Sequence, residues 1–166
     1  MLLHASHAAK AGHHSVIIVS DDTDVLVLSL SVSDALPCSL ILKTGTKSRI
    51  NYVNISQLVG SLGSNLCKAL PGLHAYTGCD TVSAFAGRGK LSALNLLQKN
   101  NDFCETFQKL GAEWTVTSDL YEALQAFTCE MYSRKTKITK VNQMRHALFC
   151  AKRPHHHGSY HPAATH

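Results

Sequence analysis

The sequence predicts an α/β fold: a partial sheet with helices, followed by a longer helical part. Three observations carry this expectation. A helical pattern over residues 2–11 passes through a short turn into Val16-Ile17-Ile18-Val19, and the carboxylates Asp21, Asp22 and Asp24 follow at once. Two further apolar runs flank a glycine turn at positions 44–47, and beyond position 64 the apolar residues recur at helical spacing. Helix, turn, strand and polar residues at the strand's carboxyl end is the pattern of an open α/β sheet, which binds its ligands at that end.

Taken in order, residues 2–11 are alanine-rich with Leu3, His7 and Ala11 on one face, and Gly12 is a natural stop. Residues 16–19 read as a strand buried on both faces, because the apolar run is unbroken and β-branched. Residues 25–30 fit a strand or a helix equally. Residues 39–43 and 49–53 read as a hairpin joined by Thr44-Gly45-Thr46-Lys47. Asn54 or Ser56 can cap a helix reaching about Leu62, and residues 64–74 carry a helical pattern interrupted at Pro71. Gly78-Cys79-Asp80 is a turn, and Phe85-Ala86-Gly87-Arg88-Gly89-Lys90 is a glycine-rich loop entering a helix over 91–98. Helices follow near 102–110, 118–133 and 140–151, and from Pro154 the composition is that of a disordered tail. No internal repeat is present.

The 166 residues suffice for one domain with a real core. No run of 18 apolar residues occurs, which argues against a transmembrane helix and a membrane partner. The six cysteines form no CxxC pair and no secretory signal precedes them. They therefore read as reduced, mostly buried thiols of an intracellular protein. The net charge is +5, with Arg134, Lys135, Lys137, Lys140, Arg145, Lys152 and Arg153 crowded toward the C-terminus. Basic surface beside concentrated acids suits a protein that holds a polyanion and a cation. A solvated basic helix accounts for the basic part alone equally well.

Two stretches carry chemistry. In extended chain Asp22 and Asp24, two apart, point the same way and can face one ion, with Asp21 as a further candidate. Hard oxygen donors suit Mg²⁺ or Mn²⁺ better than zinc. An acid-rich surface turn is the alternative for this cluster, and a helix cap is the alternative for Asp80. In the second stretch, Gly87 and Gly89 let main-chain N–H groups approach a phosphate, a helix N-terminus lies behind them, and Arg88 and Lys90 add positive charge. The spacing is neither that of a Walker A loop nor GxGxxG. Trp114 and Tyr121 can stack on bases, although core packing is the stronger expectation. His155-His156-His157 reads as part of the tail.

In this order, Ser20-Asp21-Asp22-Thr23-Asp24, Gly78-Cys79-Asp80 and Gly87-Arg88-Gly89-Lys90-Leu91-Ser92-Ala93 resemble the motifs of the flap endonuclease and 5′–3′ exonuclease branch of the PIN-like 5′-nucleases. That family has an Asp-x-Asp pair at a strand end, then Gly-Cys-Asp or Gly-x-Asp, then a helix-two-turn-helix with a G-x-G-x-x-x-A loop. The resemblance covers about residues 1–111. It implies a PIN-like, Rossmann-like sheet over 1–74, a helix-two-turn-helix region over 75–111, a helical extension over 112–153 and a tail over 154–166. It further implies that Asp22, Asp24 and Asp80 hold Mg²⁺ or Mn²⁺ for phosphodiester hydrolysis. Gly87, Arg88, Gly89 and Lys90 would contact duplex backbone, with K⁺ a candidate ion at the helix-two-turn-helix. The extension, including Lys140-Val141-Asn142-Gln143-Met144-Arg145, resembles animal proteins associated with mobile elements that carry a variant of this domain. An intracellular setting, the nucleus included, follows from such a partner. The family also places acidic ligands in an E-A-D-type motif ahead of the helix that opens this chain, and another aspartate on its first strand. No Glu here precedes Glu105, so the resemblance implies a fragment with weak metal binding and little hydrolysis of its own. A non-catalytic nucleic-acid-binding or interaction module that keeps the fold is the alternative.

Overall fold

A computed structural model describes residues 1–78, 84–112 and 115–152. Asp80, Cys79, Trp114 and the tail with His155-His156-His157 lie outside the described residues. Among the described residues the chain is mixed α/β, with eight α-helices and a three-stranded mixed sheet. Helix α1 (Leu2–Lys10) ends before Gly12, whose φ of +92° suits a residue without a Cβ. Strand β1 (Ser15–Val19) follows, then α2 (Thr23–Val32), so the run that fitted either state is helical. Strand β2 (Ser39–Thr46) pairs parallel to β1, and β3 (Arg49–Asn54) pairs antiparallel to β2. Their connection is Lys47-Ser48, two residues later than the turn expected at 44–47. Gly45 and Thr46 remain in the ladder, opposite Ile50 and Arg49.

The Asn54 side chain caps α3 (Ile55–Leu62) by accepting from Gln57 N–H at 3.0 Å. Helix α4 (Ser64–Tyr76) runs through Pro71 without a break, contrary to the expected interruption. The reason is burial on two sides. Cys67 and Leu70 face the sheet, where Ala5, Ile18, Leu30, Leu40, Leu42, Ile55 and Val59 form one core. Leu66, Ala69 and Leu73 face the helices α5 (Lys90–Leu97), α6 (Asn101–Lys109) and α7 (Ser118–Tyr132), where Phe103, Phe107, Leu124, Phe127 and Met131 form a second. Two packed faces offset a proline penalty of about 3 kcal/mol. Helix α8 (Val141–Lys152) packs on α7, and Lys140 Nζ donates to Glu122 Oε1 at 2.7 Å.

The strand expected to be buried on both faces is half exposed. Ile18 is buried, but Ile17 and Val19 are not, because among the described residues β1 is the outermost strand and the helices pack on the face that carries Ile18. Tyr121, expected in the core, is exposed on α7. Cys67, Cys104 and Cys129 are buried as expected, and burial pushes their thiols up; Cys150 is exposed.

Helices α4 and α6 approach closely at Gly72, where an added Cβ would stand 2.3 Å from the Phe107 carbonyl oxygen. Gly72→Ala is therefore expected to destabilise the protein. Alanine's better helix propensity gives back ~1 kcal/mol, but overpacking against main chain costs about 1–3 kcal/mol. Thermal unfolding should show a midpoint lowered by about 2–6 °C. An unchanged or raised midpoint would mean that the two helices can separate freely there.

Candidate functional site

The acid cluster sits where β1 gives way to α2. Asp22, in extended conformation, is the N-cap of α2: its Oδ1 accepts from Asp24 N–H at 2.9 Å, and its own N–H donates to Ser20 Oγ at 3.1 Å. Asp24 therefore lies in the first helical turn, where negative charge is favoured. The two do not alternate along an extended strand, which was the geometry expected from their spacing. Asp21 turns the other way, toward the hairpin, and its Oδ1 accepts from Thr44 Oγ1 at 2.9 Å and from Gly45 N–H. Those bonds, the Gly45 N–H first, hold its carboxyl below the ordinary value.

Asp24 has a partner that its sequence neighbourhood does not announce. Its Oδ1 lies 2.6 Å from His74 Nε2 on α4, and His74 Nδ1 lies 3.3 Å from Lys90 Nζ at the start of α5. An ammonium can only donate. Nδ1 therefore accepts from Lys90, and Nε2 carries the hydrogen it donates to Asp24. The His74 side chain is only 12% exposed, so this ring is held by its two bonds and by packing. The contacts form one chain, carboxylate to imidazole to ammonium, linking the first and third of the expected motifs. His74, Lys90, Thr23 and Thr77 border a groove of about 310 Å³ between α2, α3, α4 and α5, otherwise lined by leucines and Val27.

The glycine-rich loop divides its two cations. Lys90 faces the acid cluster through His74, whereas Arg88 folds back on α7. Its Nη2 donates to the Tyr132 carbonyl at 2.8 Å, and the guanidinium stands 5.7 Å from the Tyr132 ring centroid. Gly87 has φ +68° in the turn closed by Arg88 N–H to Phe85 C=O, and Gly89 is the N-cap of α5 with no side chain to satisfy the first turn. Among the described residues, a Cβ on either glycine would meet nothing within 4 Å beyond its chain neighbours, which leaves room for a ligand beside the main chain.

The structure thus gathers Asp24 and Lys90 around His74, ties Asp22 to the Asp24 main chain, and turns Asp21 and Arg88 elsewhere; Asp80 is outside the described residues. Among the described residues, no three His, Cys, Asp or Glu form a group that could hold a metal ion, and no helix is long and apolar enough to cross a membrane. Comparison of the chain with models of protein families, with curated proteins and with solved structures finds no match in any of the three.

Proposed function

We propose that the chain is a 5′-nuclease-like, PIN-type nucleic-acid-binding protein whose acid cluster and α5 loop together engage a phosphodiester backbone. The observation that carries this reading is the Asp24–His74–Lys90 chain of contacts, which sets a cation-attracting strand end beside an anion-attracting helix start. Lys90, the Gly89 main chain and the uncapped first turn of α5 would receive phosphate oxygens. Asp22, Asp24 and Asp80 would hold Mg²⁺ or Mn²⁺, with Asp21 beside them and K⁺ at the loop. The donors fit: each of Asp22 and Asp24 uses Oδ1 for its protein bond, and a carboxylate so oriented can ligate through its other oxygen. When bound, such an ion supplies Lewis-acid polarisation of a phosphoryl oxygen and a more acidic water. A non-catalytic binding module is the second reading, favoured by the protein partners that Asp22 and Asp24 already have.

Fluorescence anisotropy with duplex and 5′-flap oligonucleotides tests the reading. Lys90→Ala is expected to weaken binding alike for all sequences and to lower the salt slope by about one counterion. Arg88→Ala, whose side chain is tied to Tyr132, should change that slope less. A loss confined to one sequence, or no loss, would sink the backbone-binding proposal. Cleavage in Mg²⁺ or Mn²⁺ separates the two readings. The expected result is binding with little turnover. Robust cleavage abolished by Asp80→Ala would instead establish a complete catalytic centre.

A further inference from the structure

Helix α5 has two working sides. Lys90 and Leu94 turn toward His74 and the leucine groove. Ser92, Asn95 and Lys99 recur at helical spacing on the far side. Lys99 belongs to the turn that prolongs α5, its N–H donating to the Leu96 carbonyl at 3.2 Å. These residues face the C-terminal end of α7 across a cleft. The cleft is two adjoining hollows of about 290 and 320 Å³ that share Leu96, Glu130 and Arg134. Arg88 borders one hollow; Lys99 and Lys135 border the other. Four cations therefore surround one carboxylate, Glu130. Arg88 is tied to Tyr132, but Lys99, Arg134 and Lys135 are exposed. Among the described residues, neither they nor Glu130 form an ion pair. Lys135 is also the only described non-glycine residue with positive φ, at +60°. A side chain strains that conformation, and no contact of the lysine ammonium within the protein offsets the cost.

We propose that the cleft between α5 and the end of α7 is a second phosphodiester-binding site, on the opposite side of α5 from Lys90. For its ligand the proposal rests on the nucleic-acid reading above, to which it adds a separate point of attachment. Lys99, Arg134 and Lys135 would each neutralise one phosphate. The neutral groups between them suit the same ligand. Ser92 offers a hydroxyl and Asn95 an amide. Asn100 spends its Oδ1 on capping α6, accepting from Asp102 N–H at 2.9 Å, and keeps its amide N–H groups to donate. Hydroxyls and amides of this kind share phosphate and sugar oxygens with Arg and Lys in nucleic-acid interfaces. The length also agrees. At about 1.5 Å per residue, Ser92 to Lys99 spans roughly 10 Å, the axial run of about three phosphates of one strand. Glu130 opposes any anion here, and it is outnumbered. The turn that carries Arg134 and Lys135 is closed by Thr136 N–H donating to the Ser133 carbonyl at 3.2 Å, which fixes both residues beside the cleft.

Anisotropy of a labelled duplex with the full chain, over a salt series, tests this. The double variant Arg134→Gln/Lys135→Gly should weaken binding and lower the salt slope by about two counterions. Glycine relieves the left-handed position, so the thermal midpoint should not fall with the affinity, which separates lost contact from lost fold. Glu130→Gln should tighten binding. Lys10→Gln/Lys68→Gln removes the same charge from α1 and α4 and should leave the slope near the wild-type value. Lys90→Ala tests the loop in parallel. A loss in the cleft variant with Lys90→Ala silent would support the cleft and remove the loop. A loss in Lys90→Ala with the cleft variant unchanged would overturn the cleft and leave the loop. A wild type that binds no duplex would overturn both. The cleft proposal is equally overturned if Lys10→Gln/Lys68→Gln loses as much slope, or if polyaspartate displaces the duplex as well as an unlabelled oligonucleotide of equal charge does.

Discussion

Phe127→Ala is expected to lower the unfolding free energy by about 3–5 kcal/mol, the range for emptying a buried aromatic site. Phe127 is 0% exposed. Its ring meets Phe107 at 4.7 Å, Phe103 at 5.2 Å and Tyr76 at 6.3 Å between centroids, all edge-on, and such pairs add to the area term. Domains are stable by only about 5–15 kcal/mol in total, so a large share of the margin disappears. The consequence reaches the candidate site. Tyr76 closes α4 two residues after His74, and its hydroxyl lies 2.8 Å from Thr128 Oγ1 on α7. Slack in the aromatic cluster therefore loosens the helix that carries the imidazole between Asp24 and Lys90. Chemical denaturation should show the loss, and duplex affinity should fall with it even under conditions where the variant is folded. Phe127→Leu, which fills much of the same space, should retain most of both. A loss for Phe127→Ala below about 1 kcal/mol would mean that the site can collapse without harm, and that this cluster does not hold the helical layer together.

What could be read from the sequence was what local chemistry decides. Asn54 caps α3 because its side chain reaches an N–H three residues on, and the later helices follow from apolar spacing alone. Residues 25–30 fit strand and helix alike because a short apolar run has no decisive period, and the Asp-x-Asp pattern before them fits a metal pair and also a helix start, with Asp22 as cap and Asp24 in the first turn. Only the observed backbone separates the two, and even then a capping carboxylate keeps a second oxygen. The exposure of Ile17 and Val19 was not legible, since burial of a strand depends on how many layers cover it and not on the strand's own residues. Pro71 misled for a related reason: the packing of α4 against two cores is a tertiary fact. His74 was missed because its partners lie 50 and 16 positions away, and the only local sign was a polar ring on an otherwise leucine-rich helix. Arg88 reads as a phosphate ligand from its charge, its place in the glycine-rich loop and the family resemblance, while its contact with Tyr132 lies 44 positions away.

Asp22→Asn and Asp24→Asn are expected to leave the fold intact and to weaken Mn²⁺ binding by about a hundredfold, the upper range for disturbing a metal ligand or its immediate support. The substitutions are chosen so that charge is the only thing lost. Asparagine caps a helix about as well as aspartate, so the bond to Asp24 N–H survives in Asp22→Asn. In Asp24→Asn the amide oxygen can still accept from His74 Nε2. Asp22→Ala makes the contrast, since it removes the cap as well and should cost a further ~1 kcal/mol of stability. His74→Ala leaves every carboxylate in place but frees Asp24 and Lys90 to meet directly or to drift apart. If the imidazole orients Asp24 for a cation, Mn²⁺ affinity should fall by about tenfold or more. Titration of free Mn²⁺ followed by electron paramagnetic resonance reads the affinity, and thermal unfolding without metal reads the fold. Mn²⁺ affinity that ignores both asparagine substitutions, with the thermal midpoint also unchanged, would remove the metal from the strand end. The Asp24–His74–Lys90 chain would then be a structural strut beneath a phosphate-binding loop.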